Sequence, residues 1–424
     1  MEKLYFKRKI YEDVKKHMES NDVTIITGMR RTGKTTLVQH LLSDIDSKNK
    51  IFLDLEKISN RDLFSDKNYD NVILNLEQQG LNKDERMYIA IDEIQTLPNI
   101  SSVVKYLNDH YNIKFILTGS SSYYLKNLFT ESLSGRKKLF ELYPLDFGEF
   151  LTFKNVPHKS ISSITDIKNF NTHGQDSKHE FDAHEYERLK AYYEEYIEFG
   201  GFPKVVLANS REEKRQILED IISSYINIDI KSIADFKDAN AISNLVKMLA
   251  ARTGSKLDYS KIGRLIGLSR QTVQNYISLF EKTYLISLVS VHSNNKDREI
   301  VKAQKIYFQD NGLLSALAQV DSGSKFENAL YNQLKHLGEV KYFSLKDGRE
   351  IDFILEYEAN SKVDSESLLV SSQKIALEAK ETADEGDLAT LHAISIKADV
   401  KKYSVITRHK PLKFKDCVWG GNIL

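Results

Sequence analysis

The chain has 424 residues and a formal net charge of zero, because 60 Lys and Arg side chains balance 60 Asp and Glu side chains. This balance excludes a wholly basic nucleic-acid binder of the histone type. Apolar residues make up 41 % of the chain, so several folded domains are expected, and no apolar run reaches the roughly 18 residues of a membrane span. A single cysteine, Cys417, excludes an internal disulfide and favours a reducing, cytoplasmic location.

Short apolar runs alternate with polar, helix-like stretches over the first 150 residues. The runs are Val23–Thr27, Ile51–Leu55, Tyr88–Ile91 and Lys114–Thr118. Such alternation is typical of β–α–β units, in which parallel strands are buried on both faces by helices. We therefore predict an α/β domain with a parallel sheet over residues 1–150, preceded by an N-terminal helix.

The first apolar run leads directly into a glycine-rich segment, Gly28–Thr35, that reads G-M-R-R-T-G-K-T. This is the G-x-x-x-x-G-K-[ST] pattern of a phosphate loop, in which backbone N–H groups and a helix N-terminus surround phosphate oxygens. Lys34 is expected to reach the β- and γ-phosphates, and Thr35 to ligate Mg²⁺. The predicted nucleotide-binding residues are Gly28, Arg30, Arg31, Thr32, Gly33, Lys34, Thr35 and Thr36.

Hydrolysis needs further groups, and the apolar segment Met87–Glu93 ends in two acids that could supply them. Asp92 is expected to hold Mg²⁺, and Glu93 to polarise the attacking water as a general base. Ser120 follows the next apolar run, where its hydroxyl either senses the γ-phosphate or simply ends a strand. Arg136 lies in a basic S-G-R-K-K segment and is either an arginine finger acting on a neighbouring subunit or part of a solvated turn.

This order of elements resembles that of the AAA-type ATPases: the phosphate loop, the acids Asp92 and Glu93, then Ser120 and Arg136. Other segments resemble one bacterial and archaeal family: R-T-G-K-T-T-L from Arg31, P-L-D-F-G-E-F from Pro144, F-G-G-F-P from Phe199 and Y-F-Q-D-N-G-L from Tyr307. In that family an AAA core precedes a helical lid, a winged helix and a C-terminal nuclease-like domain of unknown function. The resemblance implies binding and hydrolysis of ATP with Mg²⁺, and it favours assembly into a homo-oligomer.

The remainder of the chain is expected to divide in the order that the resemblance implies. Residues 151–235 are predicted to form a polar insert followed by a helical lid, since Ser, Thr, Asn, Asp and His dominate from about 155 to 186. Residues 236–305 are predicted to form a winged helix-turn-helix. Residues 306–424 are predicted to form a C-terminal α/β nuclease-like domain, which completes a multidomain α/β protein.

Two helical segments joined by a glycine turn, Tyr259–Ile266 and Ser269–Phe280, predict the helix-turn-helix, with Ser269 as the N-cap of the second helix. A hairpin over Leu285–Phe308 would supply the wing. Residues 236–305 carry 12 basic and 5 acidic side chains, so this segment is locally positive. The predicted DNA-contacting residues are Arg270, Gln271, Gln274, Asn275, Lys296 and Arg298. A winged helix that contacts only protein is the alternative.

The C-terminal residues Asp352 and Glu378-Ala379-Lys380 resemble the pattern of the PD-(D/E)XK nuclease fold. Residues two apart on a strand share a face, so Glu378 and Lys380 would project together toward Asp352. The carboxylates are expected to hold Mg²⁺ with help from Glu327, while Lys380 orients a water. The polar stretch Tyr357–Ser372 departs from the family hairpin and could displace this site. A degenerate domain that binds nucleic acid or protein without cutting is the alternative.

Two functional hypotheses follow from these features. The first is a Mg²⁺-dependent ATPase whose nucleotide cycle controls a DNA-interacting winged helix and a nuclease-like domain. The second is a nucleotide-dependent binding switch whose nuclease-like domain is catalytically inactive and engages protein or nucleic acid.

Overall fold

The computed structural model describes residues 5–120, 133, 135–158, 183–230, 239–293, 299, 302–363, 367–410 and 417–423. The chain forms two compact units. Unit 1 comprises Met1–Pro144, Asn227–Asp235 and Ser278–Leu285. Unit 2 comprises Leu145–Ile226, Phe236–Ile277 and Ile286–Leu424. Among the described residues, no helix is long and apolar enough to cross a membrane.

Unit 1 contains a five-stranded sheet whose neighbouring strands are all parallel. Its strands are β1 (Val23–Thr27), β2 (Lys50–Asp54), β3 (Met87–Asp92), β4 (Ile113–Gly119) and β5 (Lys137–Glu141). Their order across the sheet is β2-β3-β4-β1-β5. The four predicted strands are confirmed. Strand β5 was not predicted, because Lys137 and Lys138 suggested a solvated turn, whereas pairing with β1 makes them part of an edge strand.

Helices cover both faces of this sheet and create two cores. They are α1 (Tyr11–His17), α2 (Lys34–Ser43), α3 (Ile58–Asp62), α4 (Tyr69–Gln78) and α5 (Ile100–His110). Successive strand residues point to opposite faces. Ile25 accordingly belongs to the core that holds the apolar side chains of α4 and α5, and Ile26 to the core that holds those of α1 and α2. Every residue of β1 and of β4 is buried, as expected for strands that are covered on both faces.

Further helices follow in the described part of the chain, most of them in unit 2. They are α6 (Phe147–Phe153), α7 (Ala183–Phe199), α8 (Pro203–Val206), α9 (Arg211–Ser224), α10 (Ala239–Ala250), α11 (Tyr259–Ile266), α12 (Arg270–Lys282), α13 (Asn311–Leu317), α14 (Ser322–Leu334) and α15 (Glu385–Lys397). The residues of α12 from Ser278 onward belong to unit 1. Helices α11 and α12 correspond to the two predicted helical segments, and the Ser269 hydroxyl accepts the Thr272 N–H at 3.1 Å as the predicted N-cap. The winged helix-turn-helix itself stays a prediction.

Residues of three motifs that resemble the family interlock within unit 2. The carboxylate of Asp310, at the N-cap of α13, accepts the N–H groups of Gly201 at 2.7 Å and Leu313 at 3.0 Å. The N–H of Leu145 donates to the carbonyl of Gly201 at 2.7 Å, and a Cβ at position 201 would lie 2.0 Å from the Leu145 oxygen. Only glycine permits this approach. These motifs are therefore explained by backbone packing.

Unit 2 also contains a strand pair and a second sheet. The pair is β6 (Ile286–Val289) with antiparallel β7 (Lys305–Phe308), which confirms the predicted hairpin strands. The sheet contains β8 (Glu339–Ser344), β9 (Glu350–Val363), β10 (Ser367–Lys380), β11 (Lys402–Thr407) and β12 (Cys417–Trp419) in the order β12-β11-β10-β9-β8. Strands β10, β11 and β12 run parallel, whereas β8, β9 and β10 are antiparallel neighbours. The short β12 was not predicted.

The polar stretch Tyr357–Ser372 does not displace the predicted acidic site. It lengthens β9 and β10, whose antiparallel register runs from the pair Val363–Ser367 to the pair Phe353–Leu377. Asp352 and Glu378 therefore occupy neighbouring positions at the end of one continuous ribbon.

Candidate functional site

The phosphate loop lies at the carboxyl end of β1 and leads directly into α2. Gly28 has a φ of 150°, and a Cβ at this position would lie 2.2 Å from the Leu142 oxygen, so a larger residue cannot fit. The buried Lys34 Nζ donates to the carbonyls of Gly28 at 2.9 Å and Met29 at 3.0 Å. The ammonium is thus held inside the loop, where phosphate oxygens could replace the two carbonyls as acceptors.

Other residues that were predicted to bind nucleotide also lie in or next to the phosphate loop. The buried Thr32 hydroxyl donates to the Met29 carbonyl at 2.9 Å, which closes the loop on itself. Arg31 has a φ of 67°, in the left-handed region that is unusual for a residue with a side chain. Arg31 and Thr36 are exposed, and Arg30 is half-buried.

Oxygen groups suited to Mg²⁺ converge beside the loop. The Thr35 hydroxyl donates to Asp92 Oδ2 at 2.6 Å, and the Thr118 hydroxyl donates to the other oxygen of the same carboxylate. Asp92 is the last residue of β3 and is buried. A carboxylate with an adjacent hydroxyl is a hard oxygen donor set of the kind that Mg²⁺ prefers, so these residues fit that cofactor.

The predicted base and the predicted sensor are linked by Gln95. The Gln95 side-chain amide donates to the Glu93 carboxylate and, at 3.2 Å, to the hydroxyl of the buried Ser120. Glu93 itself has a φ of 55°, so the chain turns sharply as it leaves β3. Gln95 had no predicted role, although its place two residues after Glu93 was a usable signal.

Arg8, which had no predicted role, forms hydrogen bonds that stabilise the phosphate loop. Its buried guanidinium donates to the Thr32 carbonyl at 2.8 Å and to the Tyr143 carbonyl at 2.7 Å. The planar fork of arginine suits two acceptors at once. A lone Arg within the basic segment K-R-K carries no sequence signal for this role.

Arg136 lies far from the phosphate loop of its own chain. Its carbonyl accepts the N–H of Val23, the first residue of β1, whereas the phosphate loop follows the last residue of that strand. The Arg136 guanidinium pairs instead with Asp109. Action on a neighbouring subunit stays a prediction.

The predicted DNA-contacting face of α12 is largely solvent-exposed. Arg270, Gln271 and Asn275 are exposed and Gln274 is half-exposed, with the Gln271 amide donating to Asn275 Oδ1 at 3.0 Å. Four apolar side chains of the same region are buried: Val273, Ile277, Phe280 and Tyr284. Lys296 and Arg298 lie outside the described residues.

The predicted nuclease-site acids come together in unit 2. Glu327 lies on α14, Asp352 on β9 and Glu378 on β10. Asp352 Oδ2 accepts the Ala379 N–H at 3.0 Å, and the Asp352 N–H donates to Glu378 Oε2 at 3.4 Å. Lys380 Nζ lies 3.4 Å from Glu378 Oε1. Burial, reinforced by the nearby Asp352 charge, raises the pKa of both Glu327 and Glu378.

An unpredicted lysine, Lys305 on β7, enters this acidic cluster. Its Nζ lies 3.2 Å from Glu350 Oε1, 3.4 Å from Glu327 Oε1 and 3.5 Å from Asp352 Oδ1. The side chain is only 2 % exposed. Within the described part of the chain, no group of three or more His, Cys, Asp or Glu side chains is arranged to hold a metal ion.

Comparison with known proteins agrees with the geometry of unit 1. Residues 20–151 match a family model described as an AAA domain. Together with the phosphate loop, this match supports a P-loop ATPase with nucleotide binding and hydrolysis. Residues 190–324 match a second model, described as a domain of unknown function, DUF8612.

Relatives of similar length exist in bacteria and archaea. The chain is 26 % identical over 349 residues to an uncharacterized protein of Haemophilus influenzae, covering 79 % of this chain and 80 % of that protein. It is 27 % identical over 368 residues to an uncharacterized protein of Methanocaldococcus jannaschii, covering 82 % and 75 %. Among solved structures, it is similar to a Walker-type ATPase of Pyrococcus abyssi, with a TM-score of 0.45, 14 % identity and coverage of 74 % of this chain and 96 % of that one.

Proposed function

We propose that the protein is a Mg²⁺-dependent ATPase whose nucleotide cycle controls a DNA-interacting winged helix and a nuclease-like domain. The observation that carries the ATPase assignment is the convergence of Lys34, Thr35, Asp92 and Glu93 at the carboxyl edge of one parallel sheet. Carboxyl ends of parallel strands are where α/β proteins bind ligands, because the loops there are free to carry functional groups.

Each residue has a distinct role in this proposal. Lys34 binds the β- and γ-phosphates, while Thr35 and Asp92 hold Mg²⁺, which neutralises phosphate charge when bound. Glu93 removes a proton from the attacking water. Gln95 fixes the Glu93 carboxylate and ties it to Ser120, so that a change near the γ-phosphate reaches the base.

The ATPase proposal is tested by Lys34→Ala, which we expect to lower ATP turnover by about 100-fold or more, because a principal positive group at the phosphates is lost. Turnover is measured by phosphate release at saturating Mg²⁺, with and without duplex DNA. Lys48→Ala, which removes an exposed lysine, should leave turnover unchanged. Normal hydrolysis by Lys34→Ala would contradict the proposal. Stimulation by DNA that disappears in Lys34→Ala would support coupling to DNA.

The DNA-binding part of the proposal rests on the exposed polar face of α12 and the local positive charge of residues 236–305. We expect Arg270→Ala combined with Lys296→Ala to weaken duplex binding by about tenfold and to reduce the slope of log affinity against log salt by about 2. The matched control is Lys397→Ala combined with Lys401→Ala, two exposed lysines of the nuclease-like region. Fluorescence anisotropy over a salt series provides the measurement. Unchanged affinity in the first variant would remove this surface from consideration.

The second candidate is a nucleotide-dependent binding switch whose nuclease-like domain cuts nothing. It is favoured by the position of Lys305 among the acids that a nuclease would use for metal. Tight nucleotide binding with negligible turnover would support this candidate over the first.

A further inference from the structure

The acidic cluster of unit 2, defined here as Glu327, Glu350, Asp352 and Glu378, carries its own cations. Lys305 contacts the first three of these carboxylates, and Lys380 contacts Glu378. A third lysine, Lys256, lies 2.8 Å from Glu350 Oε2. Three ammonium groups therefore face four carboxylates, and most of the negative charge that would attract a divalent cation is already balanced.

Lys305 takes the central position among these cations. A lysine ammonium has three donors, and its three carboxylate neighbours lie at 3.2–3.5 Å. A divalent ion that bridged Glu327 and Asp352 would have to lie at about 2.0–2.6 Å from their oxygens. It would then compete with the ammonium for the same carboxylate oxygens and be repelled by its charge.

Backbone pairing, an aromatic ring and burial restrict the movement of the Lys305 side chain. Lys305 pairs with Val289 in the β6–β7 ladder, and the next residue, Ile306, donates its N–H to the Ser255 carbonyl at 3.2 Å. The Lys305 ammonium also lies 5.7 Å from the centroid of the Tyr342 ring. At 2 % exposure, this side chain cannot swing into solvent without opening the surrounding structure.

Other protein groups also engage oxygens of the acidic cluster. The Tyr307 hydroxyl donates to Glu327 Oε1 at 2.6 Å. Asp352 Oδ2 accepts the Ala379 N–H, so both of its oxygens have neighbours, one from the backbone and one from Lys305. Glu327 Oε1 and both oxygens of Asp352 are thus engaged by protein groups.

We propose that Lys305 is the resident cation of the acidic cluster and excludes a divalent metal from it, so that unit 2 works without metal-dependent phosphodiester cleavage. This inference deepens the second candidate function. It is tested without nucleotide, so that failure of ATP hydrolysis and failure of this inference remain distinguishable.

The test is Mn²⁺ binding to the nucleotide-free full-length protein, followed by electron paramagnetic resonance of free Mn²⁺. Wild-type protein and Asp352→Asn should bind Mn²⁺ equally, because the cluster takes up none in either protein. Lys305→Met should gain one Mn²⁺ site. The double variant Lys305→Met with Asp352→Asn should lose that site or bind about tenfold more weakly, a loss of the size that removal of a supporting group already causes.

Two control variants separate charge from position. Lys305→Arg keeps the cation and should gain no Mn²⁺ site, and Lys256→Met, which removes a more exposed lysine of the cluster, should gain none either. Fluorescence of Trp419, the only tryptophan, reports whether unit 2 is folded in each variant. Folded Lys305→Met without a new site would overturn the inference. If Lys305→Met does not fold, the wild-type comparison decides: tighter Mn²⁺ binding by wild type than by Asp352→Asn would overturn it.

Discussion

Glu93→Gln is expected to lower the kcat of ATP hydrolysis by about 10²- to 10⁴-fold while ATP still binds, because the amide keeps the shape of the side chain but cannot accept the proton of water. The phosphate and Mg²⁺ ligands, Lys34, Thr35 and Asp92, are untouched by the change. Gln95 can still hydrogen-bond to the amide oxygen, so the local geometry should persist. Single-turnover phosphate release gives the rate, and equilibrium binding of a fluorescent ATP analogue gives the affinity.

The matched control for this experiment is Glu85→Gln, an exposed glutamate in the turn before β3. It makes the same chemical change beside the same strand, but at the end away from the phosphate loop. It should leave the hydrolysis rate and the ATP affinity unchanged. A Glu93→Gln protein with wild-type turnover would show that another group acts as the base.

Asp310→Ala is expected to destabilise unit 2 by about 3–5 kcal/mol, because it leaves buried N–H groups without an acceptor. Asp310 is 3 % exposed, and its carboxylate accepts the N–H groups of Gly201 and Leu313. It thereby joins the glycine segment after α7 to the start of α13. Urea unfolding followed by Trp419 fluorescence measures the effect on this unit.

Asp321→Ala supplies the control, since Asp321 also caps a helix but is exposed. Its carboxylate accepts the Ser324 N–H at 2.9 Å at the start of α14. Loss of an ordinary N-cap costs about 1 kcal/mol. Equal effects of the two substitutions would mean that Asp310 acts only as a cap and does not join the two segments.

Asp310 should also make the stability of unit 2 depend on pH. Burial raises its pKa from 3.8 to about 6, even though the backbone N–H groups favour the charged form. The pKa of Asp310 is higher in the folded state than in the unfolded state, so protonation of Asp310 stabilises the fold. This stabilisation is complete below pH 3.8 and is lost as the pH rises through about 6. Asp310→Asn should therefore remove that part of the pH dependence.

Local sequence patterns predicted groups that the structure brings together at the phosphate loop. The G-x-x-x-x-G-K-T pattern and the acids after Met87–Ile91 specify groups on consecutive residues of one loop or strand end. Such patterns are readable because a parallel sheet brings the ends of its strands to one edge. The two helices α11 and α12 were also predicted, since the capping serine and the apolar periodicity are local signals.

Local sequence patterns predicted less where a side chain contacts residues from a distant part of the chain. Arg8 has no distinguishing neighbours in sequence, yet it binds two carbonyls that only the fold brings together. Arg136 was predicted to be either an arginine finger acting on a neighbouring subunit or part of a solvated turn, and action on a neighbouring subunit stays a prediction. The pairing of β5 with β1 places it at the opposite edge of the sheet in its own chain.

The amino-acid sequence by itself determined the phosphate loop, the alternating elements of unit 1 and the three acids of the nuclease-like pattern. Only the tertiary structure decided which cation those acids meet. Electrostatic pairing depends on distance in space, and Lys305 comes within 3.5 Å of Asp352 through the pairing of β6 with β7 and the packing of α14. The spacing of these residues along the chain does not reveal the contact between Lys305 and the acids. Acids in a pattern that is typical of a metal site can therefore pair with a lysine.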